Sequence, residues 1–249
     1  WKAVALRGRC DDELQAMRRS LMTQAFRDCG PLRTIESVCL AVVDNLHSTP
    51  HYLGDAYPCI RSQDVGWGSI NYATALRTDQ SEFLERTRRG EPVAGDIVFV
   101  REGDVGRCAL VDGSQRFSLG QRVMMLRPNP DVVIPRFLMM QLMAPPVLDE
   151  QFLEGVTGTT SRHLNIKVVR SARVAVPSLK RQQAILVRID YIFGCLERVQ
   201  ERCSGQAKAL DSLLPSALSR WLGQPDSRLP YATRRAAVDV ARGPWTGGG

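Results

Sequence analysis

The sequence is short of lysine, of histidine and of aromatic residues, and the shortages exclude much chemistry. Lysine supplies four of the 33 basic residues, Lys2, Lys167, Lys180 and Lys208, and the histidines are His47, His51 and His163. A magnesium nuclease of the common kind needs clustered carboxylates with a lysine nearby, and none of the four lysines keeps such acidic company. No glycine–lysine loop of the phosphate-cradling type is present. The base-methylating Asn-Pro-Pro-aromatic loop is missing too, because Asn129-Pro130-Asp131 and Ala144-Pro145-Pro146 do not supply it. His47 and His51 flank Ser48-Thr49-Pro50, and the proline argues against a two-histidine helical metal face. Ser161-Arg162-His163 sets a hydroxyl and an imidazole too close along the chain to face each other as nucleophile and base. These absences predict a protein without a catalytic centre, metal or cofactor. Apolar runs fall short of the ~20 residues a membrane span requires. The seven cysteines are scattered without zinc-ligand spacing, and an odd count with no signal segment predicts free thiols in a reducing cytoplasm.

What is present is a core and a basic surface. A hydrophobic share of 44% over 249 residues is enough for a real core, in one medium domain with an extension or in two small domains. The formal net charge of +7 points to a polyanionic partner. The dominance of arginine has two readings, bidentate phosphate and guanine contacts or the mark of a GC-rich coding sequence. Residue 1 is Trp rather than Met, so the chain reads as a fragment, a fusion product or the product of an incomplete gene.

Along the chain the pattern changes twice. Leu14, Met17, Leu21 and Ala25 recur at helical spacing and predict a helix over Asp11–Phe26, stopped by Cys29-Gly30-Pro31. From Leu32 to Val176 short strands and turns predict a mixed α+β region. Asp96–Val100 and Arg107–Val111 form a hairpin candidate there, with strands at Gln121–Leu126 and Ala172–Val176 and a helix at Arg136–Met143. From Leu179 to Leu222 the spacing predicts one helix of ~66 Å. Its seam steps through Ile185, Ile189, Ile192, Leu196, Val199, Cys203, Gln206, Leu210, Leu213 and Ala217, as a coiled coil requires. Gly194, Gly205 and Pro215 weaken that helix, so packing must compensate or it bends near Pro215. Leu14–Phe26 aligns without gaps on Leu210–Leu222, an internal echo. The expected organisation is a helical stub over 1–30, a globular domain over 31–177, a long helix over 178–224 and a disordered tail over 225–249.

Four stretches together resemble the specificity subunit of type I restriction–modification systems. They are Gly95-Asp96-Ile97-Val98-Phe99-Val100-Arg101-Glu102-Gly103-Asp104-Val105-Gly106-Arg107, Leu119-Gly120-Gln121-Arg122-Val123-Met124, Gly158-Thr159-Thr160-Ser161-Arg162-His163-Leu164-Asn165, and Val176-Pro177-Ser178-Leu179-Lys180-Arg181-Gln182-Gln183. Their order, with the long helix directly after the last, carries the resemblance. The last stretch departs from the family in lacking its double proline and its glutamate. The resemblance implies a target recognition domain followed by a spacer helix that pairs with another, in a non-catalytic subunit. It also implies double-stranded DNA as ligand, and methyltransferase and restriction subunits as partners.

Under that resemblance, Arg101 and Glu102 on the hairpin become a guanine-reading fork and a cytosine-reading acceptor. Thr159, Thr160, Ser161, Arg162 and His163 suit phosphate and groove-edge contacts. Arg61, Gln63 and Asp64 stand beside an exposed Trp67. Gly103, Gly106, Gly120 and Gly158 read as scaffold, and Gln121 as a core amide. Because the first helix is a stub, much of the long seam is left bare, and this predicts a homodimer through the C-terminal helix. Two other readings stay open, the recognition segment of a single-chain restriction–methylation enzyme and a coiled-coil interaction protein that binds no DNA.

Overall fold

The computed structural model describes residues 2–46, 48–157 and 163–223, without the side chains of 2–7, Thr157 and 207–223. Contacts divide the chain into two units, Met17–Phe193 and Trp1–Ala16 with Gly194–Gly249. Two helices run from one unit into the other, α1 (Lys2–Phe26) and the final α7 (Leu179–Gly223).

In the larger unit, β1 (Leu32–Thr34) passes through a single turn, α2 (Ile35–Val38), into β2 (Cys39–Asp44). Thr34 caps α2 by accepting from the Ser37 N–H. Next come β3 (Tyr57–Ile60), β4 (Arg77–Thr78) and α3 (Gln80–Thr87), the last capped by Asp79. The predicted hairpin is β5 (Ile97–Val100) with β6 (Cys108–Leu110), and β7 (Ser118–Leu119) and β8 (Val123–Pro128) follow. α4 (Pro135–Met143) starts on proline, which suits the first helical turn. It ends before Ala144 as expected, but α5 (Pro145–Val147) and a π-helical stretch, Leu148–Leu153, continue the run. β9 (Val156–Thr157), β10 (His163–Leu164), α6 (Ile166–Ser171) and β11 (Arg173–Ala175) complete the unit.

The main sheet runs β2-β8-β5-β6, all antiparallel. Its strands alternate between two cores. Ile97, Phe99, Cys108, Met124 and Leu126 face a cluster containing Phe137, Phe152 and Val169. Val98, Val100, Ala109, Val123 and Met125 face a second with Ile60, Phe117 and Leu119. A period of two with both faces covered explains why these strands are apolar throughout. A smaller sheet, β4-β3-β7, covers the second core, with β3 and β7 parallel. The first core also receives Met22 and Phe26 from α1 and Ile185, Leu186 and Ile189 from α7.

Two short strands, one following α1 and one preceding α7, form a joint within this unit. β1 pairs antiparallel with β11, Leu32 opposite Ala175. The other edge of β11 is occupied by side-chain amides. Gln141 accepts from the Ala175 N–H at 2.8 Å and donates to its carbonyl at 2.9 Å. Gln151 treats Arg173 in the same way. Gln182, fully buried in the first turn of α7, accepts from the Ile134 N–H at 2.8 Å and donates to the carbonyls of Val132 and Pro177 at 3.0 and 2.9 Å. The backbone of Pro177 also lies against Gly30, where a Cβ would meet its nitrogen at 2.6 Å.

In the smaller unit the two helices run antiparallel. Gln200 donates to Asp11 at 3.1 Å. Cys10 faces Cys203, and the thiol–thiol hydrogen bond is the main cause of a Cys10 pKa pushed up to about 11. Two expectations are corrected here. α1 begins at Lys2 rather than Asp11, so the in-chain partner of α7 is longer than a sixteen-residue stub. The seam also drifts. Ile185 and Ile189 are buried, Ile192 and Leu196 half-buried, and Val199 is 46% exposed while Gln200 takes the facing position. An α-helix of 3.6 residues per turn slides off a 3.5-residue repeat in this way. The backbone of α7 is helical through Gly194, Gly205 and Pro215. The seam positions Leu210 and Leu213 lie outside the described side chains, and the expected tail outside the described residues.

Candidate nucleic-acid interface

The register of the main sheet gathers four loops at one end. Asp44 pairs with Met124 and Val100 with Val123, so the end of β2, the end of β5 and the start of β8 coincide. The Leu164 N–H donates to the Arg101 carbonyl at 2.8 Å and brings β10 to the same place. Gly68 bonds Cys108 at 2.8 Å, and Gly120 bonds Ile60 at 2.7 Å, which draws in the loops after β3 and β7. Buried Asn45 donates its side-chain amide to the Gly120 carbonyl.

A chain of charges crosses this end. The Arg101 guanidinium lies 3.1 Å from Asp44 and 3.6 Å from Glu102. His163 Nδ1 lies 3.1 Å from the same Glu102 oxygen, and its Nε2 is 3.2 Å from Arg101. A guanidinium can only donate, so Nε2 holds the lone pair and Nδ1 carries the proton toward Glu102. The second Glu102 oxygen faces Arg122 Nε at 3.9 Å. Arg122 is 56% exposed at its side chain yet sits at φ 69°, a conformation that costs a non-glycine residue about 1 kcal/mol. Beside it an open depression of about 250 Å3 is lined by Asn45, Leu46, Glu102, Gln121 and Arg122.

The predicted residues fare differently. Gln63 and Trp67 are exposed, Trp67 at 57%, on the loop that reaches Cys108. Arg61 is half-buried, with its guanidinium over the Tyr52 ring at 5.6 Å. Burial raises the pKa of that phenol. Asp64 is buried, not a surface acceptor. Its carboxylate takes the Arg61 N–H at 2.9 Å and closes the Ser62–Asp64 turn. Arg101 is buried too, at 2% exposure, and its ion pairs leave no fork for a base. Gln121 is a half-exposed rim residue bonded to Thr49 at 3.0 Å, not a core amide. Thr159, Thr160, Ser161 and Arg162 lie outside the described residues, as does His47. Sequence reasoning missed Asp44, Asn45 and Arg122. Arg122 stood within a motif already singled out, and its exposure followed only from the β5–β8 pairing.

Among the described residues, no group of three or more His, Cys, Asp or Glu side chains is placed to hold a metal ion. No described helix is long and apolar enough to cross a membrane.

Comparison with known proteins agrees with this architecture. The EcoBI type I restriction enzyme specificity subunit of Escherichia coli is 22% identical over 166 residues, covering 67% of this chain and 35% of that protein. The EcoKI specificity subunit of Escherichia coli is 22% identical over 213 residues, covering 80% and 45%. This chain thus spans less than half the length of these two curated relatives. A solved structure bearing on complex assembly and conformational transition of a type I restriction–modification system superposes with a TM-score of 0.63 at 15% identity, over 85% of this chain and 52% of that one. The HsdS subunit of Thermoanaerobacter tengcongensis does so with a TM-score of 0.56 at 16% identity, over 83% and 50%. At such identities these two structures establish the fold: a mixed α+β domain followed by a long helix. The family described as type I restriction modification DNA specificity domain matches residues 61–202, more than half the chain, and the protein belongs to that family.

Proposed function

We propose that this chain is a non-catalytic DNA-reading module that recognises one half of a split duplex target through the loop-bearing end of its main sheet. The carrying observation is that the loops at this end gather exposed polar and aromatic side chains around a charged cluster. Arg122 and His163 both lie within ion-pair reach of Glu102, and the loop carrying exposed Gln63 and Trp67 is tied to the start of β6 beside them, all inside the span of the DNA specificity family match. Arg61 and the 159–162 segment join them as phosphate and groove contacts in this reading. Arg101 and Asp64 shape the loops from inside. On the proposed division, residues 31–177 form the recognition domain, 178–224 the spacer helix, and 1–30 the end of a preceding spacer. The partners are double-stranded DNA and the methyltransferase and restriction subunits of a bacterial cytoplasm. Continuing the antiparallel register of Cys10 opposite Cys203 sets Lys2 opposite Asp211, so the last dozen residues of α7, roughly 18 Å, run past α1 and offer themselves to a second copy of the chain.

Competition binding at several salt concentrations tests the reading. Affinity should fall steeply with salt, and one short sequence should compete at least a thousandfold better than random duplex, on the order of the usual specificity ratio. A randomised pool that yields no preferred sequence would overturn it.

A further inference from the structure

We propose that Arg122 is the base-edge-reading residue of this domain, that Glu102 is its positioning residue, and that the pair takes a G·C base pair in the major groove. The proposal rests on the DNA-reading assignment above and gives it a named contact.

Backbone strain is the first support. Arg122 is held at φ 69° by bonds on both sides: its carbonyl accepts the Arg101 N–H at 3.0 Å, and Val123 pairs with Val100. Strain of this kind persists where the surroundings over-determine it, and it collects at binding and active sites. Core packing does not call for it here, because the side chain is mostly exposed.

The carboxylate supplies the second. One Glu102 oxygen is held by buried Arg101 and by His163, which turns the other toward Arg122. Nε is the guanidinium nitrogen nearest that oxygen, so the two terminal nitrogens are left for a ligand. Guanine offers such a fork two acceptors, O6 and N7, which no other base edge presents together in the major groove. The open polar depression next to the pair gives a base edge room to approach.

Elimination supplies the third. Other described arginines near these loops are engaged more closely: Arg61 with Asp64 at 3.4 Å, Arg89 with the Asp44 and Asn45 carbonyls at 3.3 and 3.4 Å, and Arg107 with Asp104 at 3.0 Å. Arg122 makes a longer ion pair, at 3.9 Å.

The test is in-vitro selection from a randomised duplex pool with the purified chain and with Arg122→Lys and Arg122→Gly. Wild type should select a motif, and Arg122→Lys should lose roughly ten- to a hundredfold of the discrimination at one G·C position. Random-duplex affinity, which needs only the charge, should hold within about twofold in that variant. Arg122→Gly should lose the same discrimination while melting no lower than wild type, because glycine accepts φ 69° without strain. Unfolding then cannot explain its loss. Variants that keep the wild-type motif and preference overturn the inference while leaving DNA reading intact. A loss at an A·T position overturns the guanine assignment. A wild-type chain that selects no motif overturns the DNA-reading assignment and this inference with it.

Discussion

Replacing Gln182 with leucine should loosen the start of α7 from the recognition domain without changing the volume buried there. Gln182 is fully buried, and its amide satisfies three backbone groups: the Ile134 N–H and the carbonyls of Val132 and Pro177. Leucine leaves all three without that partner. Stranding a buried polar group costs about 1–3 kcal/mol. Ile134, Val132 and Pro177 are all half-buried, so water reaches each group in part and each costs toward the low end of that range. The sum is about 2–4 kcal/mol, and for a domain of this size it should lower Tm by about 5–15 °C. Circular dichroism at the helix band across a thermal ramp reads it. Gln182→Glu supplies a signed control. One carboxylate oxygen can still accept from Ile134, but the other then opposes two carbonyl oxygens. The buried acid therefore favours its neutral form, and its folded pKa rises above the unfolded value of about 4.3. A group with a raised folded pKa contributes most below the unfolded pKa and loses that contribution as pH rises. The Tm gap between wild type and Gln182→Glu should therefore widen from pH 4 to pH 8. A Gln182→Leu protein that melts within about 2 °C of wild type, or a gap for the glutamate variant that ignores pH, would refute the reasoning.

Gly106→Ala places a Cβ 2.1 Å from Leu148 Cδ1 at φ 97°, whereas Gly103→Ala at φ 82° meets open space. The first should cost about 2–4 kcal/mol and the second about 1–2, with Leu148→Ala partly rescuing the first in a double mutant, all read by urea denaturation. Asp190 has its pKa lowered by the Arg136 guanidinium, so it contributes stability above its unfolded pKa and loses it in acid. Both side chains are over 40% exposed, so Asp190→Asn should cost under about 1 kcal/mol near neutrality and nothing once the pH falls below the lowered pKa, as melts across pH would show. Sedimentation equilibrium at tens of micromolar should find a dimer that Leu213→Asp dissociates, and a wild-type monomer would reject self-association through α7.

The hairpin and the long helix were legible because their signals are local. Asp96–Val100 and Arg107–Val111 bracket two glycines, Gly103 and Gly106, that the structure holds at positive φ. Along the predicted seam of α7, Ile185 and Ile189 are buried, Val199 is exposed while Gln200 reaches α1, and Cys203 faces Cys10, so at Val199 helical twist rather than residue type decides which side chain faces α1. The β3–β7 pairing was illegible because parallel neighbours lie far apart in sequence. Gln141 and Gln182 look like ordinary surface amides, and only the free edge of β11 and the exposed end of α4 give them partners. Arg101 and Arg122 carry the same chemistry in the sequence. β5 is buried on both faces and carries Arg101 inward with it, whereas the turn before β8 leaves Arg122 outside.

The two ends of the recognition domain solve their polar problems with different chemistry. The joint to the helices uses neutral amides, Gln141, Gln151 and Gln182, which satisfy backbone groups without desolvating a charge. The loop-bearing end uses Asp44, Arg101, Glu102 and Arg122 instead. Buried ion pairs are poor stabilisers, since well-packed apolar residues of similar volume do as well or better. Stability therefore does not account for this network. Its charge order does offer a reason. Two carboxylates and two guanidiniums cancel in total, but buried Arg101 neutralises the carboxylates from within and Arg122 stands outermost. A polyanion approaching this end meets the positive group first, and the negative charges that orient it are already compensated. On the proposed DNA-reading role, an arrangement that hides acid behind base would let this surface discriminate rather than merely adhere, because the carboxylate proposed to aim the fork would repel phosphate if left bare.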